Sequence, residues 1–283
     1  MDYTLNVQGR LMNLSEPQVM GIINVTPDSF YAGSRKQTEE EIAVRCNQIV
    51  AEGASIIDVG AFSSRPNATV VSEAEEMERL RFGLDIVRRE LPYSVVSVDT
   101  WRPDVARMAV EEFGADIIND VSEGGRAGIA NMPQRELASD YPPMFRMVAQ
   151  LRVPYILMSV QSNIRDMLLN FSREVQQLRD LGQKDIILDP GFGFGKTLEE
   201  NYRLMGELER LLVMDLPLLV GISRKSMVYQ LLGHTANESL NGTTVLNTVA
   251  LIKGASILRV HDVRQAVECV KIVKSLNRQI VKW

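Results

Sequence analysis

The chain is short of the residues that hold metals or staple secreted folds. Its 283 residues include two cysteines and two histidines. Cys46 and Cys269 lie far apart in helical patterns without metal-ligand company, which excludes a disulfide framework and suits buried thiols in a reducing compartment. His234 and His261 leave no material for a His-rich zinc site. Long apolar runs are missing as well: the longest uncharged stretch, 239–252, falls well short of the roughly 20 apolar residues of a membrane span. Met1-Asp2-Tyr3-Thr4 offers neither a basic n-region nor an apolar h-region, so no signal peptide is expected and the cytoplasm is the default location. Positive charge is not in surplus. A net charge of -5 argues against nucleic-acid and membrane partners, and an anionic substrate would need local cations. No Pro/Ser-rich linker, low-complexity tract or compositional shift divides the chain, so 1–283 reads as one domain.

What is present is an alternation. Eight apolar runs (19–24, 55–60, 94–99, 116–120, 153–158, 185–189, 216–223 and 255–261) read as strands. Helical patterns separate them at 38–52, 72–90, from Pro103 onward, 144–151, 163–181, 198–211, 225–253 with a break near Gly233, and 263–276. Thr38 with Glu41 and Ser72 with Glu75 have the spacing of capping boxes, and Pro103 falls in a first turn, where proline is favoured. Strict βα alternation forces parallel strands, and eight of them make a single (β/α)8 TIM barrel of the α/β class. A doubly wound sheet would usually show Gly-x-Gly-x-x-Gly after its first strand, where this chain has Asn24-Val25-Thr26-Pro27-Asp28. Residues 1–17 read as a short N-terminal extension, a hairpin or lid across the barrel's bottom. The polar, Gly-containing stretch 123–141 is an inserted loop on the C-terminal face, too long for an ordinary connection.

Chemistry in such a barrel collects at the C-terminal strand ends. The most conspicuous is Asp189-Pro190-Gly191-Phe192-Gly193-Phe194-Gly195-Lys196-Thr197, a carboxylate followed by a loop where backbone must approach something closely. The others carry Asn24 with Asp28 beyond it, Asp58 with Ser63-Ser64-Arg65-Pro66 beyond it, Asp99, Asn119-Asp120, Met158, Ser223 with Lys225, and Arg259 with His261. Asp28, Asp58 and Asp120 are each read as helix N-caps. Asp99, Asn119 and Asp189 suit a planar ligand rich in N–H donors. Arg259 and His261, two apart on one strand, share a face and with Arg65 form a cationic pocket suited to a diphosphate. Asn24 offers a neutral oxygen to a magnesium ion (Mg2+) held mainly by phosphate and water.

Gly21-Ile22-Ile23-Asn24-Val25-Thr26-Pro27-Asp28-Ser29-Phe30 resembles the first signature of the dihydropteroate synthases. Ser63 to Pro66, Ser97-Val98-Asp99-Thr100, Ile117-Ile118-Asn119-Asp120-Val121, Asp189 to Thr197, Ser223-Arg224-Lys225-Ser226 and Arg259-Val260-His261-Asp262 are similar to the remaining motifs, seven in family order. The resemblance implies a transferase of folate biosynthesis joining 4-aminobenzoate to 6-hydroxymethyl-7,8-dihydropterin diphosphate with release of pyrophosphate. It implies that Asp99, Asn119 and Asp189 hold the pterin, that Lys225 reaches its edge and that Met158 covers its face. Arg65, Arg259, His261 and magnesium at Asn24 would take the diphosphate. Ser64, Pro66, Phe194 and Ser223 would frame the aminobenzoate, and Asp28 and Phe30 would ride on a closing first loop. Family similarity also implies a homodimer through late helices. Asp99, Lys225, Arg259 and His261 are the residues expected to carry catalysis.

The chain departs from the pattern in places. Phe62 stands where the family usually carries glutamate, Ser64 replaces threonine and Asn67 the last glycine. Ser159 replaces the histidine of Leu-Met-His-Met, and the loop after it is shortened. Two other readings compete. A pterin-dependent methyltransferase domain has no diphosphate to hold, against which Lys225, Arg259 and His261 argue. A pterin-binding homologue without turnover is motivated by Phe62 and Ser159.

Overall fold

Runs of apolar residues buried on both faces, each ending in a polar group, close here into a barrel. The computed structural model describes residues 3–25, 35–62, 71–125 and 141–280, with 35–37 and 277–280 described by backbone alone. Its barrel strands are β3 (Gln18–Asn24), β4 (Ile56–Gly60), β5 (Val95–Asp99), β6 (Ile117–Asp120), β7 (Tyr155–Met158), β8 (Ile186–Asp189), β9 (Leu219–Val220) and β10 (Ile257–Val260). All pair in parallel in the order β8-β7-β6-β5-β4-β3-β10-β9. A parallel bridge from Leu188 to Leu218, with the Leu188 N–H donating to the Pro217 carbonyl, joins the two outer strands. Every residue of β4, β6, β7 and β8 is buried, as a sheet covered by helices outside and side chains inside requires.

Around the strands lie α1 (Arg35–Ala51), α2 (Glu73–Glu90), α3 (Pro103–Phe113), α4 (Pro143–Leu151), α5 (Ile164–Asp180), α6 (Leu198–Gly206), α7 (Ser226–Leu232), α8 (Leu240–Ile252) and α9 (Val263–Ile280). Ser72 caps α2 by accepting the Glu75 N–H, but the Glu75 carboxyl turns to Arg79, so only half of the expected box forms. Thr38 is no cap at all. Arg35, Lys36 and Gln37 favour helix and carry α1 one turn further upstream. A complete capping box does form at Thr197 and Glu200, starting α6 directly after the Gly-rich loop. Gly233, at φ 66°, ends α7 and accounts for the break expected there.

The N-terminal extension is an antiparallel hairpin of β1 (Thr4–Val7) and β2 (Arg10–Asn13). Its turn places Gln8 and Gly9 at φ 48° and 80°, the left-handed pair that suits a two-residue hairpin loop. Leu5, Val7 and Leu14 pack on Met20, Ile56, Ile117, Ile156, Ile187, Leu219 and Ile257, which lie near the beginnings of the strands, so the hairpin plugs the barrel's bottom. Asp185 accepts the Asn6 N–H at 3.1 Å, and the Gln8 amide donates to the Gly114 carbonyl at 2.6 Å. With the bottom sealed, the other end is free for ligands. Leu5→Ala, which opens a cavity in this plug, is expected to lower the unfolding free energy by about 2–5 kcal/mol in urea titrations. An unchanged midpoint would mean that the hairpin does not close the barrel.

Candidate active site

β10 turns Arg259 into the barrel mouth, where it joins two carboxylates from different strands. Its Nε lies 2.6 Å from Asp58 Oδ2 and its Nη2 2.7 Å from Asp99 Oδ2. Asn119 Nδ2 donates to the same Asp58 oxygen at 3.2 Å. Asp58 is therefore not the cap expected from the sequence. It sits in mid-strand with its side chain in the barrel, away from any helix start, and it tethers Arg259 and Asn119. Asp120, at the end of β6, braces the following turn rather than starting an α-helix as an N-cap: it accepts the Ser122 and Gly124 N–H groups at 2.8 and 2.9 Å and the Tyr155 hydroxyl.

Three oxygens in this node, Asp58 Oδ1, Asp99 Oδ1 and Asn119 Oδ1, are buried without a hydrogen-bond partner. Buried acceptors of this kind normally find donors, so the node is built for something that brings them. Burial pushes the Asp99 carboxyl up to about 7; Arg259 pulls against this while Asp58, Glu76 and Asp120 add to it. Burial opposes the charge of Arg259, but the Asp58 and Asp99 carboxylates outweigh it and raise the guanidinium above its ordinary range.

The Gly-rich loop supplies the facing wall. Asp189 ends β8 and accepts the Gly191 N–H at 2.8 Å; burial raises its carboxyl, with Lys225 pulling the other way. Gly191 has φ 65°, and a Cβ there would lie 2.2 Å from the Ser159 carbonyl, so only glycine fits. Lys225 Nζ donates to the Phe192 carbonyl at 2.6 Å and stands 4.3 Å from the centre of the Phe194 ring. Burial lowers the Lys225 ammonium to about 7, against the pull of Asp189. Met158 is fully buried beside Val121, and Phe62, Trp101, Val160 and Phe194 pack around this pair. Phe62, where the family usually carries glutamate, extends an apolar wall.

Beside this wall a cleft of about 410 Å³ is lined by Asn24, Arg45, Arg224, His261 and Asp262, among others. Arg224 is engaged by Asp262 in a two-pronged pair at 2.9 and 2.7 Å. Arg45 Nη2 donates to the His261 carbonyl at 2.6 Å. The His261 ring lies 3.2 Å from the Ser223 hydroxyl, which also accepts the His261 backbone N–H. Burial, and then the charge of Arg259, lower the imidazole to about 4, so it is neutral at pH 7. Asn24 is exposed at the end of β3. No cluster of His, Cys, Asp and Glu able to hold a metal by itself exists among the described residues.

The structure thus brings together Asp99, Asn119, Asp189, Met158, Phe194 and Lys225, with Arg259 among the acids, and sets Asn24 and His261 on the cleft, with Ser223 bonded to His261. Asp28, Phe30, Ser64, Arg65, Pro66, Asn67 and most of 123–141 lie outside the described residues. Asp58, Arg45, Glu123 and Lys196 are residues of the mouth that the sequence does not single out as ligand-site groups. Strand alternation could have found Asp58, which shares a face with Ile56 and Gly60. Nothing local marks Arg45 or Glu123.

Unpartnered acceptors near the partly buried Lys225 ammonium have the chemistry to suit a donor-rich heterocycle, and the comparison with known proteins points the same way. The family profile described as pterin binding enzyme matches residues 20–261. The dihydropteroate synthase of Escherichia coli strain K12 is 36% identical over 286 residues, covering 96% of this chain and 95% of that protein. Two solved structures from Xanthomonas albilineans superpose along the whole chain. Dihydropteroate synthase with 4-aminobenzoic acid gives a TM-score of 0.83 at 32% identity, covering 98% of this chain and 99% of that one. The same enzyme in complex with 7,8-dihydropteroate gives 0.80 at 28% identity, covering 97% and 98%. The chain belongs to the dihydropteroate synthase family, a family of transferases.

Because Asp58 holds both Arg259 and Asn119, Asp58→Asn is expected to cost about 1–3 kcal/mol of stability, as a charged hydrogen bond becomes a neutral one. Thermal or urea unfolding checks it. A variant as stable as the parent would mean that Asp99 alone holds Arg259.

Proposed function

We propose that the chain joins 4-aminobenzoate to 6-hydroxymethyl-7,8-dihydropterin diphosphate, yielding 7,8-dihydropteroate and pyrophosphate for folate synthesis. The observation that carries this reading is the set of buried, unpartnered acceptors on Asp99 and Asn119 facing Asp189 and Lys225. A dihydropterin presents N–H donors along one edge, which these oxygens accept, while Met158 covers the ring face. Lys225 reaches the polar edge and borders the second substrate. Phe194, Ser223, Ser64 and Pro66 frame the aminobenzoate, and Asp28 belongs to the first loop that closes over it.

The covalent step asks little of the protein. The methylene C–O bond breaks with its electron pair leaving on the diphosphate, and the electron-rich ring delocalises the cation left behind. The aniline nitrogen bonds to that carbon and then sheds one proton, so no strong base is required. Arg259, Arg65 and His261 stabilise the departing anion; His261, neutral at pH 7, does so by hydrogen bonding. A metal at this place fits the donor set: Asn24 is an exposed neutral oxygen on the cleft, Asp262 there is engaged by Arg224, and no group of three or more His, Cys, Asp or Glu able to hold a metal exists among the described residues, which suits an ion held mainly by phosphate and water. Magnesium bound there by Asn24 would supply positive charge against the leaving group. Walls made of Phe62, Trp101 and Phe194 exclude water that would otherwise capture the cation.

We place the protein in the cytoplasm and read it as a homodimer. No helix among the described residues is long and apolar enough to cross a membrane. The late helices α8 and α9 pack together and leave Val245, Ile252, Ile272 and Leu276 more than half exposed, which supports a second copy as their cover.

Pyrophosphate release by purified protein with magnesium and both substrates tests the reaction. It is expected to require both, and to fall by at least about a hundredfold in Lys225→Ala, as removal of a preorganised charge does. Tight pterin binding without release would sink the synthase reading in favour of a homologue without turnover. Sedimentation equilibrium tests the assembly: a dimer is expected for the parent chain and a monomer for Ile252→Glu/Ile272→Glu. A monomeric parent would overturn it.

A further inference from the structure

Just past β6 the chain does something costly. Glu123 takes φ 51°, followed by Gly124 at 75° and Gly125 at 89°. A non-glycine residue seldom adopts this left-handed conformation, and it persists where surrounding contacts over-determine it. Those contacts are visible. Asp120 accepts the Gly124 N–H, and the Glu123 side chain, 5% exposed, turns inward across the barrel mouth. Its Oε1 accepts the Ser159 hydroxyl at 2.9 Å and the Val160 N–H at 2.7 Å. Glu123 thereby ties the exit of β6 to the exit of β7.

The connection continues on the far side of Ser159. Lys196 Nζ donates to the carbonyls of Ser159, Gly191 and Phe194 at 3.2, 2.8 and 3.3 Å. One ammonium so gathers the β7 exit and two points of the Gly-rich loop. Gly191 is pressed against the same Ser159 carbonyl, with no room for a Cβ. Burial lowers the Lys196 ammonium to about 8, and Asp189 and Glu123 are the charges that most oppose this. In the proposed reaction neither Glu123 nor Lys196 holds a ligand.

We infer that Glu123 and Lys196 are a pair of positioning residues which, through Ser159, set the Gly-rich loop and hold the Phe194 ring in place for the amine substrate. The inference rests on the proposed reading of Phe194 as a wall of the aminobenzoate pocket. Ser159 is the link between the two, its hydroxyl donating to the Glu123 carboxylate while its carbonyl accepts from Lys196. Of the proposed pterin contacts, Asp189 and Met158 end the strands next to the braced segments, whereas Asp99 and Asn119 stand on other elements. Asp99 and Asn119 are held by Arg259 and Asp58, so loosening the pair acts on one substrate more than the other.

The experiment compares Glu123→Ala, Lys196→Met and Glu123→Gln with the parent chain, each first shown to be folded by circular dichroism. Hydrogen exchange over 191–197 is the readout that does not need turnover. The Gly191, Gly193 and Phe194 amides are hydrogen-bonded in the parent, and their exchange is expected to accelerate by about tenfold or more in the first two variants. In the same variants KM for 4-aminobenzoate rises by about tenfold, the scale on which small misplacements act, while pterin affinity stays within about twofold. Glu123→Gln keeps an acceptor oxygen and is expected to restore both readouts. Unchanged exchange in Glu123→Ala would overturn the inference, as would equal effects on both substrates or a Gln variant no better than Ala. A parent protein that releases no pyrophosphate would instead remove the reading of the reaction, and the exchange data would still decide the coupling.

Discussion

The mouth of this barrel depends on one partly buried cation. Arg259 is placed by β10 between Asp58 of β4 and Asp99 of β5, and Asn119 of β6 leans on the same Asp58 oxygen. A lone buried charge of either sign would be expensive, and pairing is what makes each tolerable. The arrangement saturates only half of the carboxyl oxygens. The other half, Asp58 Oδ1 and Asp99 Oδ1, stays buried without a hydrogen-bond partner.

The same burial sets protonation around the site. Lys225 and His261 are lowered and Asp99 is raised, all chiefly because charge is disfavoured where solvent is excluded. The site therefore carries fewer charges of both signs when empty than its residue types imply. Ligands that bring their own charge, a diphosphate above all, find groups ready to respond to it. Preorganisation of this kind stabilises a departing anion without rearrangement during the reaction.

Departures from the family pattern make sense as packing. Phe62 adds to the apolar ring around Met158 and Val121, joined by Trp101, Val160 and Phe194, so the exits of β4 to β8 each contribute at least one apolar side chain. Ser159 is small enough to leave room for Glu123 to reach across the mouth and accept from its hydroxyl. Neither change touches the donors and acceptors of the Arg259 node.

Much of the architecture is legible in the chain itself. Apolar runs of strand length alternating with helical patterns specify eight βα units, and the polar residues ending those runs specify where chemistry gathers. Asp99, Asn119, Asp189, Lys225 and His261 can be named because each lies at or just beyond the end of an apolar run. Asp58 misleads as a cap, since a carboxylate near a strand end looks alike in either role until the strand's register is known. Thr38 misleads because a local capping signal cannot tell whether the helix began a turn earlier. Sequence alone thus determined the barrel, its direction and the polar groups at its mouth, through periodicity and chain order. Only the tertiary structure decided that Arg259 faces Asp58 and Asp99, and that Glu123 reaches Ser159 36 positions away. Such partners are chosen by barrel closure, which brings together residues that no local rule relates.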